Sequence, residues 1–492
     1  MIRKITHFLK SNKFEYILLS LILILGFILR LYKINNPIAD WHSWRQADTA
    51  SVTRTYVNEG INLLVPKYHD VSSIQTGKLN LNGYRMVEFP FYNALTALAV
   101  NEMPKISLEV WSRLITIFCA LATSVFLYMI GKRLLGSAVG LLTAFFYLFM
   151  PFNIYFTRVI LPDPMGVMFA VISLWAFLWY YSEKGEAFLY LSAVFFAMAL
   201  LIKPYLGFYI IPIGYLAIDK YGFKNIFLNK KILTKAAVFA FIAFAPLIAW
   251  RWWEAKFPEG IPFYLWAFNG NHIRFKASFW YWIFGERLGH LLLGSLGLIP
   301  FIFGVINTKV KNYFIHWFLI GMLAYVTVVA DANVMHDYYQ IMTIPAIVLT
   351  LAAGSYYLWN QDIFNKLLTR IVLVFSIAIM LITGWNQIVG NYAVNHPEIL
   401  EAGAEVDKIT PKNALVVAPY DGDTAFLYAT KRWGWPAIDN SIDNIISEGA
   451  GYYVSVNLGS TDTKTIESRF VTLEKNNKFI IIDLTKPLPV KK

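Results

Sequence analysis

Long uncharged runs alternate with short charged ones along most of this chain. Apolar segments lie at about 16–28, 112–130, 137–155, 164–181, 187–202, 205–218, 236–252, 287–306, 313–330, 339–359 and 371–388. A helix needs about 20 residues to cross roughly 30 Å of hydrocarbon. The pattern therefore predicts about eleven membrane-crossing helices, some short enough to merge or re-enter. The basic start "MIRKITHFLKSNK" precedes the first segment, and no small-residue cleavage pattern follows it. It reads as a retained first helix that begins in the cytoplasm, not as a cleaved signal peptide.

The loops test that reading. Counted from an inside start, alternate turns carry Lys132 and Arg133, Lys184, the five lysines of "DKYGFKNIFLNKKILTK", Lys309 with Lys311, and Lys366 with Arg370. All fall on one side, as the positive-inside rule requires. The other side receives the Asp40–Pro104 loop, "RVILPDP", "KPYLG", "FNGNHIRF", "DANVMHDYY" and everything after about Trp385.

From about Asn391 the period changes. Short β-branched runs in "NALVVAPYDGDTAFLYATKRWGWPAI", "GYYVSVNL" and "NKFIIIDL" alternate with turns. The expected fold is an all-α polytopic membrane protein over residues 1–390 with a small extracytoplasmic α/β domain at 391–492. No long internal repeat stands out.

Composition agrees. The chain is 57% hydrophobic and 15% charged, against about 45–50% and 25% in soluble domains, and its mean hydropathy is +0.50. Aromatic residues at 17% suit interfacial belts. The net charge of +12 is spread over short loops rather than one stripe, which speaks for topology and against nucleic acid. Cys119 stands alone in an apolar run, so there is no disulfide framework and no cysteine metal site.

Charges are scarce in the middle of the apolar segments, where each costs about 2.5–3.5 kcal/mol. They collect instead at the outer ends. "PIADWHSWRQADTA" follows the first segment with Asp40, Arg45 and Asp48, and Arg54 comes shortly after. A carboxylate in a partly dry cleft can take a proton from an acceptor hydroxyl; Asp48 can equally cap a surface helix beginning there. Arg45 and Arg54 suit an anionic group. Glu88 lies two residues before Pro90, and Asp163 sits between two prolines at the start of a crossing, a good capping position. Arg158, Arg274, His272, His336, Tyr338 and Tyr339 complete the outer set. No HExxH, P-loop or dinucleotide-binding glycine motif occurs.

This order of parts resembles the C-type membrane glycosyltransferases: a first helix, an acidic outer loop, a Glu-x-Pro-aromatic helix entry, Arg…Asp-Pro, His-x-Arg-Phe, His-x-Tyr-Tyr and an outer C-terminal domain. More narrowly it is similar to bacterial relatives of protein O-mannosyltransferases and of the lipid A aminoarabinose transferase. The resemblance implies an inverting transferase that moves a sugar from a polyprenyl-phosphate donor to a lipid, glycan or protein acceptor at the outer face of the cell membrane. It implies Asp48 as the first-loop acid, with Asp40 as its competitor, and Asp163 as the second. Arg158 and Arg274 would meet the donor phosphate, with Arg45, Arg54, Tyr338 and Tyr339 as further substrate contacts. Glu88 and His272 would be ligands of a divalent metal ion, the one cofactor implied. Two departures stand out: Thr49 follows Asp48 where the family often has glutamate, and "EFP" replaces the aminoarabinose-type "EKP".

Two other classes fit the pattern in part. A lipid or sugar transporter accounts for the helices but calls for midplane polar residues and repeated halves. A membrane receptor or scaffold accounts for the outer domain but not for acids at several helix mouths.

Overall fold

Among the described residues, four helices are long and apolar enough to cross a membrane: Leu108–Leu135, Asp163–Tyr181, Lys230–Glu254 and Lys366–Tyr392. They belong to a computed structural model that describes residues 12–306 and 313–489. The basic start up to residue 11 and the expected loop at Lys309 and Lys311 lie outside the described residues. Only 11% of the apolar window of Lys230–Glu254 is buried, against 78% for Asp163–Tyr181. Lys230–Glu254 turns its apolar side chains outward, as a lipid-facing helix does, and Asp163–Tyr181 is enclosed. Several segments that read as continuous in the sequence are broken. The 137–155 run divides at Pro151 into Ser137–Phe149 and Pro151–Phe156. The 205–218 run is entered through a 3-10 turn, Pro204–Tyr209. The 287–306 run divides into a π-helical Trp282–Leu292 and an α-helical Leu298–Ile306. Proline removes an amide donor and clashes with the preceding turn, which accounts for the first two breaks.

The chain forms two units. The first comprises Met1–Ile34, Leu114–Arg251 and Tyr264–Gly390. In it, Asp163–Tyr181 and Ala187–Ile202 form a helical hairpin held by Ser173 and Ser192, whose hydroxyls lie 3.0 Å apart. Leu298–Ile306 crosses Ile344–Asn360 so closely that a Cβ on Gly354 would stand 1.8 Å from the Pro300 carbonyl oxygen. Only glycine fits there. Arg30, fully buried, ends the first helix by donating to Thr157 Oγ1 at 2.8 Å and to the Leu148 carbonyl at 2.9 Å. Three of the short basic loops meet: Arg133 Nε donates to Ser182 Oγ at 3.1 Å, Lys220 Nζ donates to the Tyr181 carbonyl at 3.0 Å, and Lys235 pairs with Glu186.

The second unit comprises Asn35–Arg113, Trp252–Phe263 and Asn391–Lys492. Its five-stranded sheet contains β1 (Leu415–Val417), β2 (Trp433–Trp435), β3 (Ala450–Ser455), β4 (Phe470–Lys475) and β5 (Ile480–Pro487), in the order β2-β1-β3-β5-β4. β1 runs parallel to β2 and β3, while β5 is antiparallel to β3 and β4. The expected α/β composition is present, but the sheet is completed from far upstream. Val71 N donates to the Gly434 carbonyl and Gly434 N to the His69 carbonyl, both at 2.9 Å. Val71 is buried in the same core as Val417, Trp435, Tyr453 and Ile482. The long first loop thus covers the edge of β2, which would otherwise present unpaired backbone groups.

Candidate functional site

Within the second unit, the Ser43–Glu59 helix carries Asp48, and Asp40 lies three residues before it. It starts five residues before Asp48, so Asp48 is in its second turn and is not a cap; His42 occupies that position. This helix buries its polar side chains, among them Arg45, Gln46, Asp48, Thr49 and Thr53. Asp48 is fully buried. One carboxylate oxygen pairs with Arg85 at 2.8 Å and accepts from Gln75 Nε2 at 3.2 Å; the other accepts from Thr424 Oγ1 at 2.7 Å. Arg85 also donates to Gln75 Oε1 and lies 4.7 Å from the centre of the Tyr68 ring. Asp40, also buried, accepts from Gln46 Nε2 at 2.6 Å.

His69 and Asp70 flank this cluster. The His69 Nε2–H donates to the Thr424 carbonyl at 3.2 Å. Burial pushes Asp70 from its ordinary 3.8 up to about 6, and pushes His69 from 6.5 down to about 4. The signs oppose. Asp70's contribution to stability is full below 3.8 and is lost as pH rises through about 6. His69 stays neutral when folded, so its contribution is full above 6.5 and is lost as pH falls through about 4. Asp70→Asn removes the first effect alone. Its unfolding temperature is expected to fall as pH drops from about 6.5 to about 4, more steeply than in the unaltered protein. A profile that runs parallel to the parent's would contradict the raised carboxyl of Asp70.

Other first-loop candidates are drawn into pairs. Arg45 Nη2 donates to both oxygens of Glu88, at 2.8 and 3.0 Å. Both oxygens of Glu88 are thus engaged by one guanidinium nitrogen. Among the described residues no three His, Cys, Asp or Glu side chains stand together as metal ligands. Arg54 stacks on Tyr428, 3.6 Å from the ring centre, and donates to its carbonyl at 2.9 Å, joining the first-loop helix to the C-terminal residues.

In the first unit, the structure brings Asp163 together with a residue the sequence reading passed over. Asp163 begins the Asp163–Tyr181 helix and makes no side-chain cap. It is fully buried, and its Oδ1 lies 3.0 Å from Lys203 Nζ. Neither carboxylate oxygen accepts a further hydrogen bond. Lys203 is the first charge after the uncharged Ala187–Ile202 helix, and that position in "KPYLG" was its only sequence signal. Its ammonium lies 5.2 Å from the ring centre of Tyr339 and 5.9 Å from that of Tyr338. Tyr205 stands 6.0 Å from Tyr339, and His336 stacks on Tyr338 at 5.6 Å. An ion pair walled by aromatic rings is costly to bury and so is a poor structural device. It is well suited to an anionic group carrying an apolar or sugar moiety.

Arg158 and Arg274 donate to backbone carbonyls. Arg158 is fully buried and donates to the Lys33 carbonyl at 2.6 Å, so it does not present a guanidinium at the surface. Arg274 donates to the Val328 carbonyl at 3.1 Å and the Phe268 carbonyl at 3.3 Å. His272 is exposed, at a left-handed φ of 53°, before the Ile273–Phe275 turn.

Residues 105–250 match the family model described as dolichyl-phosphate-mannose-protein mannosyltransferase. No curated protein matches in sequence. Among solved structures, ArnT from Cupriavidus metallidurans bound to undecaprenyl phosphate superposes with TM-score 0.64 at 11% identity, over 96% of this chain and 98% of that one. The Archaeoglobus fulgidus oligosaccharyltransferase in complex with Zn and sulfate matches with TM-score 0.58 at 14% identity, over 89% of this chain and 68% of its own. Mycobacterial arabinofuranosyltransferase AftD matches with TM-score 0.58 at 13% identity, over 96% of this chain and 41% of its own. The fold is that of the C-type membrane glycosyltransferases.

Proposed function

We propose that this chain, which has the C-type glycosyltransferase fold, moves a sugar from a polyprenyl-phosphate donor to an acceptor at the outer face of the membrane. The observation that carries the reading is the fold shared over nearly the full length with a protein solved on undecaprenyl phosphate. The Asp163–Lys203 pair gives it a chemical centre. A lipid-linked sugar arrives with its leaving group anchored at the membrane surface. The protein must then hold that phosphate, stabilise its growing charge and activate an acceptor hydroxyl. Lys203 supplies the positive charge, and the Tyr338 and Tyr339 rings face the sugar. Asp163, whose oxygens accept no other hydrogen bond, takes the acceptor proton. One displacement opposite the departing phosphate inverts the anomeric carbon. The sugar of the product, examined by NMR after transfer by the purified protein, is expected in the inverted configuration; a retained one would overturn the single displacement.

The reading also places the protein in the cytoplasmic membrane with about eleven crossings, the N-terminus inside and the residues after 391 outside. Single cysteines at Lys230 and Ser460, with Cys119 replaced, are expected to react with an impermeant reagent from opposite sides. Reaction from one side would end this topology.

A further inference from the structure

A cleft of about 370 Å³ opens within the second unit between the first-loop helix and the C-terminal residues. Its charge is one-sided. Arg54, Lys412, Lys431 and Arg432 line it, with Glu59 the one acidic lining residue. The three last cations share a single carboxylate: Asp407 pairs with Lys412, with Lys431 at 3.0 Å and with Arg432 at 2.7 Å. Burial would raise the Asp407 carboxyl, but its hydrogen bonds to these cations hold it well below the usual range. Even with Asp407 ionised, three positive charges face one negative, so the cluster keeps an excess of cation. Arg432 is fixed, its guanidinium buried against the Thr410 and Pro411 carbonyls. Lys412 and Lys431 are the exposed part, with 77% and 59% of their side chains open to solvent.

The uncharged lining is equally specific. Asn58 and Asn413 offer amides, and half-buried Trp433 offers an indole ring. Amides match hydroxyls in pairs, and an aromatic ring packs on the C–H face of a pyranose. Lysine ammoniums on flexible stems accept a carboxylate or phosphate without demanding one geometry.

From this lining we infer that the cleft binds an acidic sugar, as the recognition site for an anionic glycan acceptor. The acceptor role rests on the transferase reading; the binding does not. The test is binding of a galacturonic acid hexasaccharide to the full-length purified protein, beside the same hexasaccharide with its carboxyls methyl-esterified and beside inorganic phosphate. The acidic hexasaccharide is expected to bind, and the ester to bind at least about 10-fold more weakly. The double variant Lys412→Gln, Lys431→Gln is expected to lose about the same factor with an unchanged unfolding temperature, because Arg432 still pairs with Asp407. No binding, equal binding of the ester, or no loss in the double variant would overturn the site. Phosphate that binds as tightly as the hexasaccharide would overturn the sugar assignment. Binding as expected, in a protein that releases no polyprenyl phosphate from its donor, would instead remove the transferase reading and leave the cleft.

Discussion

Asp163→Asn is expected to lower turnover by about 10²–10⁴-fold while donor binding stays measurable, because the amide keeps the shape and loses the basicity. The substitution also takes away the carboxylate that stands 3.0 Å from the buried Lys203 ammonium. Loss of one partner of such a pair costs about 3–5 kcal/mol, so a fall in activity could come from a damaged fold. The variant that removes both charges, Asp163→Asn with Lys203→Met, separates the two effects. Replacing a buried pair by neutral groups is close to neutral for stability. The double variant is therefore expected to melt near the unaltered protein and to remain inactive. Recovery of turnover along with stability would make the pair structural. Asp40→Asn belongs in the same series, since a folded but inactive Asp40→Asn would move the base to the first loop.

Asp48→Asn is expected to act on the fold. Its carboxylate pairs with Arg85 and accepts from Gln75 and Thr424, and its loss takes away the carboxylate 2.8 Å from a buried guanidinium in the second unit. The cost is about 3–5 kcal/mol, seen as a lower unfolding temperature and faster proteolysis of the C-terminal residues. Adding Arg85→Gln is expected to restore most of it. Asp48→Asn with the parent's stability and turnover down by about 10²–10⁴-fold would instead make Asp48 the base, as the sequence alone suggested.

Asp48 shows why the sequence reading stopped where it did. The residue was legible as a polar intruder after an apolar run, but its partners stand at Gln75, Arg85 and Thr424, the last 376 positions away. No local period carries that information. Lys203 is similar: it stands 40 residues after Asp163, and the tight Asp163–Tyr181 and Ala187–Ile202 hairpin brings the two together. Features that depend on composition read well. Lysines are expensive to move through hydrocarbon, so the loops at Arg133, Lys220 and Lys235 could be grouped in advance, and they do meet. The β-branched runs that became β1, β3 and β5 were visible for the same kind of reason. The first loop's place in their sheet was not, because residues 69–71 pair across more than 360 positions through backbone groups that every residue carries.

The most direct test uses the purified protein with a polyprenyl-phosphate sugar and a candidate acceptor, and measures polyprenyl phosphate released over time. Release that depends on acceptor, and that disappears in the Asp163→Asn, Lys203→Met double variant, is the expected result. No release with any donor or acceptor, from a protein that instead moves the intact lipid-linked sugar across vesicle membranes, would contradict the transferase and identify a transporter.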